Sequence, residues 1–222
     1  MAREYGAEIL QAIRRTRRPA AVFMRHAPRP PVVDLAVSPW VGITAAGQEA
    51  AEAFGAGLAG VVAVRIFHSP ILRCAQTAAH IAQGAEAAGV DAKVIGPREE
   101  LGASYLVDIG EVVRLGNALG RDFVRRWFAG EIGETVIRPP AAVLAEYLRY
   151  LTRGLGDGAA ADRVDLHVTH DWNVLLLREG TLGLRHEEAG WIDYLDGVVV
   201  ERLGVDLQVV YREQQAIVKP TP

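Results

Sequence analysis

Two histidines stand where apolar runs end. Arg25-His26 follows Ala20-Ala21-Val22-Phe23-Met24, and His170-Asp171 follows the alternating stretch Val164 to Thr169. Between them, His68-Ser69-Pro70-Ile71-Leu72-Arg73 follows a third run, Val61 to Phe67. Short buried strands of an open parallel sheet end along one edge, and ligands bind outside those carboxyl ends. Three run-ends carrying His or Arg therefore predict one site assembled from distant sequence. Arg25 and Arg29 flank His26 with planar cations suited to phosphate oxygens. Arg73 falls in the first turn of a helix that Ser69 is expected to cap, with Pro70 at its first position. Such a helix terminus itself favours an anion.

A neutral imidazole can attack phosphorus and form a covalent phosphohistidine. The reaction needs clamps on the non-bridging oxygens and an acid for the leaving alcohol. His170 and the arginines suit the first need, and Asp171 suits the second. Asp is also a preferred helix cap, so Asp171 has a purely structural alternative at the start of the next helix. Glu99 and Glu100, just beyond a third strand, are rival acids whose simpler reading is a solvated charged turn.

The elements that must position these groups follow from the apolar pattern. Helices are expected over 3–17, 44–58 (capped by Thr44), 70–88, 141–155 and from Asp171 or Trp172 to Arg178. Strands are expected over 20–25, 61–67, 92–95 and 164–169. Residues 198–203 and 207–211 flank Gly204-Val205-Asp206 as a terminal hairpin. The prolines of 27–42 mark a loop. Strands alternating with long helices predict an α/β/α sandwich of three layers around a mostly parallel sheet.

At 222 residues, one domain is expected over 1–222. Residues 97–138 lack a clean period and read as an insertion of short helices that supplies specificity. The net charge of −3 argues against a general nucleic-acid binder. No apolar stretch is long enough to span a membrane. The arginines at 14, 15, 17 and 18 follow their apolar residues, the wrong order for a secretory signal, so a cytoplasmic protein is expected. The single Cys74 permits no internal disulfide and is expected to pack. His80 and His186 are expected to face solvent. His167 and His170 are three apart, which in a strand puts them on opposite faces and argues against a shared metal.

Arg25-His26-Ala27-Pro28-Arg29-Pro30-Pro31 resembles the Arg-His-Gly-x-Arg-x-Pro signature of the histidine phosphatase superfamily, in its acid phosphatase branch. His170-Asp171-Trp172-Asn173 resembles the second signature of that branch. His68-Ser69-Pro70-x-x-Arg73-x-x-Gln76-Thr77-Ala78 resembles the middle motif of the phosphoglycerate-mutase-like branch, whose proton donor is generally a glutamate after the third strand. The resemblance implies metal-independent phosphoryl transfer without a cofactor, on a small phosphorylated substrate or a phosphoprotein. By motif position it makes His26 the nucleophile. It assigns Arg25, Arg29, Arg73 and His170 to phosphate and Asp171 to proton donation. One departure is Ala27, where the family usually has glycine. The expected activity is phosphomonoester hydrolysis through a phosphohistidine, with a phosphomutase as runner-up, a catalytically weak phosphate-ligand binding protein kept open by Ala27 and, last, a metal-dependent hydrolase.

Overall fold

Strand β1 (Ala20–Arg25) is buried along its whole length, as a strand in mid-sheet with helices on both faces must be. The computed structural model describes residues 5–16, 19–32, 37–61, 63–156 and 163–220. Among them the chain runs α1 (Ala7–Arg15), β1, α2 (Ala45–Ala56), β2 (Ala63–His68), α3 (Leu72–Ala87) and β3 (Asp91–Pro97). It continues through α4 (Ile109–Leu119), α5 (Asp122–Phe128), α6 (Pro140–Gly154), β4 (Arg163–Thr169), α7 (Asp171–Leu182) and α8 (His186–Ala189). Strands β5 (Gly197–Leu203), β6 (Asp206–Tyr211) and β7 (Gln214–Val218) finish it.

The sheet order is β3-β2-β4-β1-β5-β6-β7. Its first four strands are parallel and its last three antiparallel, so the sheet is mixed rather than mostly parallel. Tight turns explain the change: Gly204 (φ 66°) and Arg212 (φ 55°) join β5, β6 and β7 without the helical crossover that parallel neighbours require. Alternate strand residues feed two cores. Val22, Val64, Ile66 and Leu166 pack towards α1, α2 and α3, while Phe23, Phe67 and Val198 pack towards α5, α6 and α7. This is the three-layer sandwich expected.

Several local readings need correction. Ser69 and Pro70 precede α3 rather than start it; Ile71 is the N-cap. The Ser69 hydroxyl is taken instead by the Ile71 amide and by His170. His170, not Asp171, caps α7. That helix continues past Arg178 to Leu182, because Gly180 lets Leu144 of α6 pack against it and Gly183 (φ 68°) closes it. Strand β7 follows the expected hairpin. The first helix is shorter than expected, and positions 3, 4 and 17 lie outside the described residues. His186 is buried, with its ring edge-on to Trp191 and Phe128, and His80 is half-buried against Glu52. In the segment 97–138, Leu101, Phe123, Val124 and Trp127 are buried in the main core.

Helix α3 carries Arg73 and lies tightly on α2. A Cβ at Gly84 would stand 2.0 Å from the Glu52 carbonyl oxygen, and one at Gly55 would stand 2.1 Å from that of Ile81. Backbone cannot give way as a flexible side chain can. Gly84→Ala should therefore destabilise by about 1–3 kcal/mol, outweighing a helix-propensity gain of at most about 1 kcal/mol. Denaturant melts check this; an equal or raised midpoint would contradict the packing.

Candidate active site

Parallel pairing of β1 with β4 sets Arg25 opposite Thr169, so His26 and His170 emerge side by side at the strand ends. The His26 amide donates to the Thr169 carbonyl at 3.0 Å, which carries the ladder into the site. The two imidazole centroids are 5.7 Å apart.

His26 is 2% exposed. Its Nδ1 lies 2.8 Å from the Ala27 carbonyl oxygen. A carbonyl only accepts, so Nδ1 carries the hydrogen and Nε2 keeps its lone pair. Burial, then neighbouring His170 with Arg73 and Arg25 behind it, pushes its pKa well below the ordinary histidine value. A basic lone pair is thus held unprotonated among cations. Ala27 is itself buried, its amide donates to Thr77 Oγ1, and its φ is not positive. The added methyl causes no backbone strain.

His170 accepts from Arg73 Nη2 at Nδ1 (3.2 Å), which leaves Nε2–H to donate to Ser69 Oγ (2.9 Å). Burial and Arg73 push its pKa down to about 3. Arg73 also donates to the Ser38 carbonyl, which belongs to the short turn Ser38–Trp40 over the site. Arg25 donates to the Ile192 carbonyl, pairs with Asp171 at 3.3 Å and lies 4.0 Å from the Tyr194 ring centroid. Arg29 donates to Pro30 O.

One feature unites these arginines: Nε of Arg25, Arg29 and Arg73 is buried without a hydrogen-bond partner. Buried N–H groups are rarely left unpaired, because each costs about 1–3 kcal/mol. Three at one sheet edge form a cradle of unpartnered donors beside His26.

Asp171 faces the same cluster. Its Oδ1 accepts from the Trp172 amide and its Oδ2 from Trp191 Nε1, both at 3.0 Å. Burial pushes its carboxyl up, but Arg25, the Trp191 indole and His170 together outweigh it and hold the group below its ordinary value. Of the rival acids, Glu100 turns to Arg153 at 3.8 Å, lining a cleft on the sheet face. Glu99 is exposed, and no hydrogen bond or ion pair joins its side chain to the described residues of the site. Cys74 contacts His170, yet burial pushes its thiol up to about 12, so it packs.

Most supports of the site were invisible in the sequence. Asn173 donates through Nδ2 to the Leu101 and Gly102 carbonyls and to Thr169 Oγ1, and accepts from Tyr105. It thereby pins the turn Glu99–Leu101 to the end of β4. Residues 190–196 bring Trp191, Ile192 O and Tyr194 against Arg25 and Asp171. Leu195 bends this segment at φ 56°, an uncommon conformation for leucine, and buries its side chain completely. Only the Asn of the His-Asp-x-Asn pattern carried any local signal.

Fold and site together define an α/β sandwich whose sheet edge gathers three arginines around a neutral histidine. Residues 22–94 match the model of the histidine phosphatase superfamily (branch 1), and the resemblance to that superfamily is borne out. The match covers the motifs around His26 and His68–Thr77; the His170-Asp171 pair lies beyond it. The chain has the fold of a mycobacterial glucosyl-3-phosphoglycerate phosphatase at 16% identity, covering 93% of this chain and 100% of that one with a TM-score of 0.57. A vanadium-oxide (VO3) complex of that phosphatase aligns at TM-score 0.60 and 16% identity, over 87% and 98% of the two chains. A Bacillus anthracis phosphoglycerate mutase aligns at TM-score 0.54 and 15% identity, over 91% and 92%. No curated protein matches the chain.

The buried neutral histidines have a consequence for pH. Their unfolded value lies near 6.5, while His167 is pushed down to about 4 by burial and His170 to about 3. The unfolded state therefore binds more protons as pH falls below about 6.5, and stability must fall with it until the folded values are reached. Histidine ring resonances of His26, His167 and His170 should hold their neutral positions down to pH 5.5. A midpoint near 6.5 for His26 or His170 would contradict the site described.

Proposed function

We propose that the chain is a phosphatase that hydrolyses phosphate monoesters through a phosphohistidine at His26. The observation that carries this reading is the fixed Nδ1–H of His26 beside three buried, unpartnered arginine nitrogens. In the first step a bond forms from Nε2 to phosphorus as the bond to the ester oxygen breaks. Arg25, Arg29 and Arg73 hold the non-bridging oxygens, and His170 joins them as its Nε2–H turns from Ser69 Oγ to the ester. Charge-assisted contacts that tighten there in the transition state are the main source of rate. In the second step a water oxygen bonds to phosphorus, the bond to Nε2 breaks, and phosphate leaves.

Asp171 supplies and then recovers the proton. Alone, it is held ionised by Arg25 and Trp191. A phosphate ester brings further negative charge to the same guanidinium, which raises the affinity of Asp171 for a proton. The monoanionic ester delivers that proton; Asp171 passes it to the departing alkoxide and takes one from the attacking water.

Quenching turnover of a labelled ester without acid should trap an acid-labile, alkali-stable adduct that His26→Ala lacks. An equal adduct in both proteins would remove His26 from the chemistry. For the acid, leaving groups discriminate. Asp171→Asn should slow an alkyl phosphate by roughly a hundredfold or more while slowing a nitrophenyl ester far less, since that oxygen departs without a proton. Glu100→Gln should leave both rates within about threefold, since it keeps to Arg153. The reverse pattern would move the donor to the turn after β3.

A further inference from the structure

Away from the strand ends, the face of β2 and β4 bears polar groups where a sandwich normally stacks apolar ones. Val64, Ile66, Val164 and Leu166 on the opposite face are all apolar and buried. On this face stand Arg65, Arg163, Asp165 and His167, beside a cleft of about 570 Å³ between the strands and the C-terminal half of α6. Its size is that of an ordinary small-molecule site.

The polar groups are built rather than incidental. Asp165, with only 1% of its side chain exposed, accepts both Nε and Nη2 of Arg65 (2.8 and 2.6 Å) and Nε of Arg163 at 3.0 Å. Two guanidiniums are thus locked in place, and Nη1 of each makes no hydrogen bond with the described residues. Arg98 lies 4.9 Å from the Phe67 ring centroid, and Arg153 stands at the rim. Among the described residues, four guanidiniums face only Asp165 and Glu100 in carboxylates. His167, 2% exposed, is held by Tyr150 at Nδ1 (2.9 Å) and stacked on Phe67, and its Nε2 is buried with no partner.

We propose that this cleft is a second binding site, separate from His26, for a small doubly charged oxyanion: a phosphate or a dicarboxylate. Two of the cations are left uncompensated, which sets the charge of the ligand. An oxyanion seated at the floor draws a hydrogen to His167 Nε2, and Nδ1 then accepts from the Tyr150 hydroxyl. The locked Arg65 and Arg163 meet it without reordering, and Arg98 and Arg153 close on it from the rim. Locked partners of this kind keep the entropy cost of binding low. The inference does not rest on the phosphatase reading, because none of these groups touches the cradle.

The test is a titration of the whole chain with inorganic phosphate and, separately, with succinate, followed residue by residue through histidine ring nitrogens. The His167 signals should shift saturably with at least one anion. In an Arg98→Gln/Arg153→Gln double variant, whose two sites lie outside the core, that affinity should weaken by roughly tenfold or more. The His26 and His170 signals should respond to phosphate equally in both proteins. Response to phosphate alone or to succinate alone decides which oxyanion the cleft takes. His167 signals unmoved by both anions to tens of millimolar, or moved equally in the double variant, would overturn the proposal. Loss of the His26 response with the His167 response intact would count against the cradle and not against this site.

Discussion

The register of β1 on β4 is the constraint on which the site depends. Arg25 pairs with Thr169, so the residues that follow, His26 and His170, leave the sheet at one level and on one side. A slip of one residue would turn every side chain of β1 to the other face. Phe23 would exchange cores with Val22, and His26 would leave the cradle. The burial of Val22 and Met24 on one face and of Phe23 on the other is what forbids that slip. The core thus fixes the chemistry to within a residue, before any polar contact is made.

Polar contacts then set protonation. The Ala27 carbonyl chooses the tautomer of His26, and Arg73 chooses that of His170 through Nδ1. Both rings are kept neutral by burial among guanidiniums, at a cost in stability that grows as pH falls. Arg25 is the pivot of the arrangement. It meets Asp171, the Ile192 carbonyl and the Tyr194 ring at once, leaving Nε without a partner. Residues 190–196 are held in turn by the fully buried Arg178, which donates to the Gly190 carbonyl, and by Leu195 in its left-handed bend. A positive charge deep in the core is expensive unless it organises something, and here it anchors the segment that orients Arg25 and Asp171.

What the sequence revealed and what it hid divide along a physical line. Apolar runs ending in His26, His68 and His170 were legible because burial has a period, and they gave the parallel half of the sheet. Strand β7 was not legible: it is an edge strand with exposed Gln214, Gln215 and Ile217, so no alternation marks it. Ser69-Pro70 read as a helix start because that pattern is local, whereas the serine's actual partner, His170, lies 101 residues away. His186 sits in a charged stretch of sequence but packs against Trp191 and Arg125 in space. Trp191 and Tyr194 act entirely through contacts across the chain. Spacing along a sequence carries no trace of those.

The central claim is that His26 Nε2 and the unpartnered arginine nitrogens form one cradle for a phosphoryl group. A crystal structure with vanadate measures this most directly. It should place vanadium on His26 Nε2 in a five-coordinate arrangement, with Arg25, Arg29, Arg73 and His170 on its equatorial oxygens and Asp171 beside an apical one. Vanadate bound away from His26, or held by the arginines with the imidazole turned so that Nδ1 faces it, would contradict the account.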